Sequence, residues 1–556
     1  MLSSNFVTAA VLALASCSRG ATLPCVADKF AALKAPGTEI LDVTAEEVRD
    51  YDQWSKELTV SAQVEHRSID FCNVTVTYTH SGWNDTVHVY IWLPLEDWNG
   101  RFFGQGGGGW SAGNPGALAA PVAMGYSAAN TDAAHDFWDP ISGATSAGWA
   151  FAGKGNINLP LLYDFAYVSL NDMTILAKEV TKSFYGKVPA YSYWNGCSTG
   201  GRQGMVQAQR FPTNYDGILS AAPAMNWVSF VTSEIWGQVL MHEKGVYPPP
   251  CEFKAITSAA TAACDDLDGV KDGLVSAPGL CNFDALSLVG KEIECHGISH
   301  TISKAAVEIA IEVWQGPNDS EGTPGWFGLP HEVSFGIEEF GPFGGLVMTS
   351  CNDEQKECQG VPFPITVEWI KLFLLKDPDF DITTLKRENF YDLLHQSRQE
   401  YLSVMDTADP DLSAFRKAGG KMVHWHGIAD QLIYVNGSSN YYERVKALDS
   451  NVADFYRYFE FPGVTHCFGG IGPYPVSAFE SLVNWVENGK APDYLEGKTG
   501  PPHGPEKPMH RPLCAYPQVA AYKGGDINIA SSFECADSFE AFGPPGQEGR
   551  PLHDEL

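Results

Sequence analysis

Apolar and polar residues alternate with a period of two in Val74-Thr75-Val76-Thr77-Tyr78 and again in Val87-His88-Val89-Tyr90-Ile91-Trp92. That period predicts two strands with one buried face, joined by a hairpin turn through Ser81-Gly82-Trp83-Asn84-Asp85. Val188 to Asn195 reads as a buried strand. Asn158 to Lys182 has helical spacing, and Arg202 to Arg210 reads as the start of a helix. Lys421 to Gly427 and Phe455 to Phe461 are further strand-like runs late in the chain. Strands alternating with helices predict an α/β sheet. Residues 21–60 read as an N-terminal extension of it.

Between about 224 and 410 the texture changes. Pro, Gly, cysteines and aromatic patches such as Gly325-Trp326-Phe327-Gly328 replace the alternation. This stretch reads as an inserted domain. It divides the rest into a first part (21–223) and a second part (411–540), followed by a tail at 541–556.

The two ends predict a compartment. Phe6 to Ala15 is an apolar run too short to span a bilayer, followed by small residues. It reads as a signal peptide within 1–20; a short buried helix is the other reading. The chain closes with His553-Asp554-Glu555-Leu556, an address read by the ER-retention receptor. A Pro- and Gly-rich stretch before it would hold the address in solvent. The expected location is therefore the ER lumen, with escape to the outside as the alternative. Of 13 cysteines, Cys17 falls in the expected signal peptide and the other twelve suit six disulfides. Sequons begin at Asn73, Asn84, Asn318 and Asn436, usable in that compartment. With 36 basic against 67 acidic residues, the formal charge is −31. Such a field disfavours nucleic acid and anionic lipid as partners. No later apolar stretch is long enough for a membrane span.

The chemistry starts at Gly196-Cys197-Ser198-Thr199-Gly200, which fits G-x-S-x-G. That pattern places a serine on a tight strand-to-helix turn. Gly109-Trp110-Ser111-Ala112-Gly113 matches it too, but without a strand before or a helix after. Ser198 is therefore the expected nucleophile. A serine needs a base, and the base an orienting carboxylate, in the chain order Ser, Asp, His for this kind of sheet. Asp430 follows one late strand and His466 the other, at the carboxyl ends where such sheets carry catalytic groups. His424 and His426 read as packing residues. Cys197 precedes Ser198 and Cys467 follows His466. A disulfide between them would hold their Cα atoms about 4.4–6.8 Å apart and bring base to nucleophile.

The glycine run 104–109 has three readings. Its amides at 106–108, Gly107 and Gly108 among them, would form an oxyanion hole with the N–H of Thr199. A phosphate cradle lacks its lysine and helix context. A plain flexible loop is the third. In the insertion, Cys264-Asp265-Asp266-Leu267-Asp268-Gly269-Val270-Lys271-Asp272-Gly273-Leu274 packs acids at short spacing. Such oxygen donors suit Ca²⁺; a solvated acidic turn is the other reading. Cys281 is placed to close this loop onto Cys264. Cys25–Cys72 and Cys514–Cys535 are further expected pairs.

The set Cys197-Ser198-Thr199-Gly200-Gly201-Arg202-Gln203-Gly204, Asp430, His466-Cys467 and the 264–273 loop resembles the tannase/feruloyl esterase family. The resemblance implies an α/β-hydrolase sheet with a large inserted lid domain, and hydrolysis of small aromatic-acid esters of feruloyl, galloyl or aryl type. It implies a Ser198–His466–Asp430 triad braced by Cys197–Cys467. It also implies structural calcium on the carboxylates of Asp265, Asp268 and Asp272 and the carbonyls of Val270 and Leu274. Ile433, three residues past Asp430, is a candidate wall of the substrate pocket. Family members are commonly secreted, so the HDEL end keeps a metabolite esterase, a lactonase and an acyltransferase in view. A calcium-stabilised ER binding protein on a hydrolase scaffold is the non-enzyme alternative.

Overall fold

A computed structural model describes residues 24–52, 64, 67–135, 145–318, 322–352, 357–499 and 508–537. The expected signal peptide and the HDEL tail lie outside these residues. Nine strands form one sheet: β1 (Thr38–Tyr51), β2 (Ile69–His80), β3 (Val87–Pro94), β4 (Arg101–Gln105), β5 (Ser127–Thr131), β6 (Tyr191–Cys197), β7 (Gly217–Ala221), β8 (Lys421–Gly427) and β9 (Tyr456–Phe461). Their spatial order is β1-β2-β3-β5-β4-β6-β7-β8-β9. β5, β4, β6, β7, β8 and β9 run parallel, and β1, β2, β3 and β5 pair antiparallel. This is the expected α/β sheet, with Ser198, Asp430 and His466 all following strands of its parallel half.

Alternation along the strands assigns the two faces. Val74, Val76, Val87, Val89 and Phe102 pack on one side against Leu170, Met173, Leu176 and Val180 of a helix, Val168–Tyr185. Phe103, Tyr193, Leu219, Val423 and Phe459 pack on the other against Phe479, Leu482 and Trp485 of Ala478–Asn488. Adjacent residues Phe102 and Phe103 thus serve opposite layers, as a pleated strand requires.

The N-terminal extension proves to be part of the sheet. β1 is a 14-residue edge strand whose residues are all half-buried or exposed. One face meets solvent and the other only partly meets the core, so its apolar alternation is diluted.

The expected insertion falls between β7 and β8. It holds the helices Trp227–Ser233, Trp236–Lys244, Pro250–Cys264, Lys304–Gln315 and Arg387–Met405, with two small hairpins. Its core is continuous with the sheet domain. Trp110 of the glycine loop lies 5.2 Å from the Trp227 ring and 5.3 Å from Phe373. The buried Arg202 guanidinium sits under Phe165 and Trp227, 5.8 and 5.7 Å from the ring centroids. Burial of these large rings welds lid to sheet.

All twelve cysteines pair. Cys25–Cys72, Cys197–Cys467, Cys264–Cys281 and Cys514–Cys535 join as expected, and Cys251–Cys295 and Cys351–Cys358 complete the set. No helix among the described residues is long and apolar enough to cross a membrane.

Candidate active site

β6 ends at Cys197, and a helix, Thr199–Arg210, begins one residue after Ser198. Ser198 itself has φ 63° and ψ −125°, a conformation most side chains avoid and one that strained functional turns hold. The glycines make the turn possible. A Cβ at Gly196 would lie 2.4 Å from Gly200, and one at Gly201 2.4 Å from the Ala221 carbonyl. The backbone of Ser198 is pinned on both sides: its N–H donates to Ala221 O, and its carbonyl accepts from Ala224 N. Ser111 stands in no such turn. Its hydroxyl donates to the Gly113 carbonyl at 3.0 Å.

Asp430 lies just beyond β8 and is buried. Its Oδ1 accepts the N–H groups of Leu432 (2.9 Å) and Ile433 (2.8 Å). Its Oδ2 lies 2.8 Å from His466 Nδ1. Burial alone would raise this carboxyl. The opposing charge of His466 and the bonds from His426 and His466 outweigh it and hold Asp430 well below the ordinary carboxylate range. His466 follows β9, and its own N–H donates to the Gln431 side chain at 3.0 Å. The residue before Ser198 is tied to the residue after His466: Cys197 and Cys467 are bonded, with their Cα atoms 5.9 Å apart.

His426 is not simply a packing residue. Its Nε2 lies 3.1 Å from Asp430 Oδ2 and 3.1 Å from the Ile433 carbonyl, and its Nδ1 lies 2.7 Å from Ser438 Oγ. A carbonyl can only accept, so Nε2 carries the proton. Nothing in the spacing marks His426 apart from His424, which meets Tyr456 OH instead. Ile433 contributes to the site through its backbone, which both donates to Asp430 and accepts from His426.

The glycine loop departs from expectation. The Gly107 N–H donates to Gln203 Oε1 at 3.0 Å, and the Gly108 N–H to the Ser111 carbonyl at 3.1 Å. These two amides are engaged within the protein rather than offered to a substrate. The need for glycine is steric. A Cβ at Gly106 would come within 2.5 Å of Gly200, and one at Gly107 within 2.2 Å of Ser111 O. The loop therefore lies directly on the Ser198 turn, and Thr199 Oγ1 locks it by donating to Gly109 O at 2.7 Å. The Thr199 N–H opens the helix, where the first amides have no partner within the helix.

In the insertion, the acidic loop is folded around its own backbone. Asp265 Oδ1 accepts Asp272 N and Gly273 N, Asp268 Oδ1 accepts Val270 N, and Asp272 Oδ1 accepts Leu274 N. Gly269 and Gly273 take left-handed turns at φ 85° and 84°. Asp272 also pairs with the buried Arg511. Burial pushes the Asp268 carboxyl up to about 6; bonds from Ser276 and Val270 lower it, and Asp272 adds to the rise. Three carboxylates against one guanidinium leave an anionic excess, and the donors are oxygens only. Such a set fits a hard divalent cation.

The loop also touches the segment that carries His466. Leu274 packs so closely on Gly463 that a Cβ there would lie 2.3 Å from it. Glu332 bridges the two, accepting Val275 N at 3.2 Å and Gly463 N at 3.5 Å.

Comparison with known proteins bears on this geometry. Residues 72–536 match the family described as tannase and feruloyl esterase. A probable feruloyl esterase of Arthroderma benhamiae is 42% identical over 513 residues, covering 91% of this chain and 92% of its own. A tannase of Aspergillus oryzae is 30% identical over 527 residues, covering 84% and 85%. Among solved structures, tannin acyl hydrolase from Aspergillus niger superimposes with a TM-score of 0.81 at 28% identity, covering 95% of this chain and 98% of its own.

Proposed function

The chain belongs to the tannase and feruloyl esterase family, and from that premise we propose that it is a serine esterase cleaving esters of aromatic carboxylic acids through an acyl-enzyme. The observation that carries the reading is the buried Asp430 carboxylate on His466 Nδ1, tied by the neighbouring disulfide to a strained Ser198.

The carboxylate on Nδ1 fixes the tautomer, leaving His466 Nε2 as the base. Ser198 Oγ gives its proton to Nε2 and attacks the ester carbonyl. The resulting oxyanion takes the Thr199 N–H at the start of the helix that follows Ser198. Removing charge from water in this way makes such donors effective. The tetrahedral species collapses, the C–O bond breaks, and His466 returns the proton to the leaving alcohol. Water then repeats the attack, and the free acid leaves Ser198 regenerated.

Calcium belongs to the framework in this reading. The carboxylates of Asp265, Asp268 and Asp272 and the carbonyls of Val270 and Leu274 would hold it. The ion would supply the positive charge this loop lacks, and no catalytic step needs it.

The test is hydrolysis of methyl ferulate and methyl gallate by the protein and by Ser198→Ala, with products identified by mass. Release of free acid that falls by several orders of magnitude in the variant is the expected result. Turnover retained in Ser198→Ala would overturn the nucleophile. A protein labelled at Ser198 by an aryl phosphonate yet inert on both esters would overturn the acyl class.

A further inference from the structure

A second group of buried acids lies away from the active site, where the β2–β3 hairpin meets two helices, α1 (Leu159–Ala166) and α2 (Val168–Tyr185). His80 ends β2, Asp85 sits in the hairpin turn, Asp164 is on α1 and Asp172 on α2. One ligand atom from each of His80, Asp85 and Asp164 lies within 4.8 Å of the other two. Among the described residues this is the one such cluster.

Hydrogen bonds hold His80 and Asp85 against each other, and Asp164 stands within reach of both. Asp85 Oδ1 accepts His80 N at 2.9 Å and Thr79 Oγ1 at 2.8 Å, which turns Oδ2 toward the imidazole. His80 Nδ1 lies 2.6 Å from that Oδ2 and 3.8 Å from Asp164 Oδ1. The other ring nitrogen, Nε2, lies 3.0 Å from Asp172 Oδ2, on which Tyr78 OH also rests at 3.4 Å. A carboxylate on the far nitrogen of a histidine orients the ring and strengthens the near nitrogen as a metal ligand. Asp164 is fully buried, and neither of its oxygens has a hydrogen-bond partner among the described residues. A carboxylate so placed is costly unless something positive stands beside it. The Trp83 ring, 4.5 Å from His80, closes the cluster over.

We propose that His80 Nδ1, Asp85 and Asp164 bind a divalent transition cation, with Asp172 as the positioning residue behind His80. One imidazole with carboxylates suits zinc and its neighbours better than the oxygen-only loop at 265–274 does. The cation takes the place of the proton on Nδ1. Three protein ligands leave a fourth position for water. The ion would pin the hairpin to α1, whose Phe165 packs on Trp110 of the glycine loop. Its role is therefore structural, and it is independent of the esterase reading.

The test is metal content and titration on the whole chain. Protein stripped with chelator and returned to calcium is titrated with Zn²⁺, then with Co²⁺ to read visible d–d absorption. One equivalent of zinc and a cobalt spectrum are expected. Asp164→Asn should abolish both, and it removes a side chain with no hydrogen bond to lose, so folding is expected to survive. Asp172→Asn should weaken zinc about 10- to 100-fold, whereas Asp268→Asn should leave zinc unchanged. If the wild type takes up no zinc or cobalt, or if Asp164→Asn binds as the wild type does, the proposal fails and protons neutralise the cluster instead.

Discussion

His426 Nε2 stands 3.1 Å from Oδ2 of Asp430, the same oxygen that receives His466 Nδ1 at 2.8 Å. One carboxylate oxygen thus serves two imidazoles, while Oδ1 is filled by two backbone amides. His426 also donates to the Ile433 carbonyl, so it fixes the loop that carries Asp430 as well as the carboxylate itself.

His426→Ala should therefore impair catalysis without touching substrate. A hydrogen bond to a charged group contributes about 1.5–3 kcal/mol, which is roughly 10- to 100-fold in kcat/KM. The loss should appear in kcat rather than KM and stay smaller than that of Asp430→Ala. Steady-state kinetics on one ester decide it. An unchanged kcat would reduce His426 to packing.

The depressed Asp430 carboxyl has a consequence for stability against pH. Its folded value lies below the unfolded value near 4. The charged form is favoured in the fold, so its contribution is complete above about pH 4 and is lost as pH falls through the lower folded value. Wild type should exceed Asp430→Asn in Tm at neutral pH, and the gap should narrow in strongly acidic buffer. A gap that stays constant across the acid range would contradict this.

The Cys197–Cys467 disulfide closes a separation of 270 residues. A loop of that size constrains the unfolded chain by about 5.6 kcal/mol in the chain-entropy picture. Its position beside both Ser198 and His466 predicts more than stability. Cys197→Ala/Cys467→Ala should lose at least about 10-fold in kcat at temperatures where its near-UV circular dichroism remains native. Full activity in a folded double variant would limit the bond to a stabilising role.

Three of the six parallel strands, β6, β8 and β9, were legible because they are largely buried and their motifs sit at their ends, whereas the five-residue β4, β5 and β7 were not read as strands. Ser198, Asp430 and His466 each follow a strand-like run, and the structure brings His466 to Asp430 and ties the Ser198 turn to the same place. β1 was not legible, since a half-exposed edge strand carries little apolar alternation. Gly107 and Gly108 misled for a different reason. Glycine there answers the crowding of two turns, and an amide's true acceptor, Gln203 for Gly107, lies 96 residues away. His426 was hidden by its likeness to His424, since only the fold shows which of two strand histidines meets the carboxylate. The His80 cluster draws its members from the end of one strand, a hairpin turn and two helices, and no local spacing announces it.

Calcium removal tests how far the lid loop reaches into the chemistry. Leu274 packs on Gly463, and Glu332 bonds both Val275 and Gly463, three residues before His466. An ion bound only to the folded state stabilises it by mass action, so a calcium chelator should lower Tm, and added calcium should restore it in proportion to its concentration. If calcium fills this loop, its loss would leave the carboxylates of Asp265, Asp268 and Asp272 to repel across a short loop, and the strain would pass through Leu274 to the segment that carries His466. Activity should therefore fall before the far-UV signal does as free calcium is lowered. Asp268→Asn should reproduce both effects at saturating calcium, because it removes one ligand charge. Identical melting curves with and without chelator would refute the ion. A lowered Tm with full activity up to the transition would confine the ion to the lid and break the proposed link from Leu274 to His466.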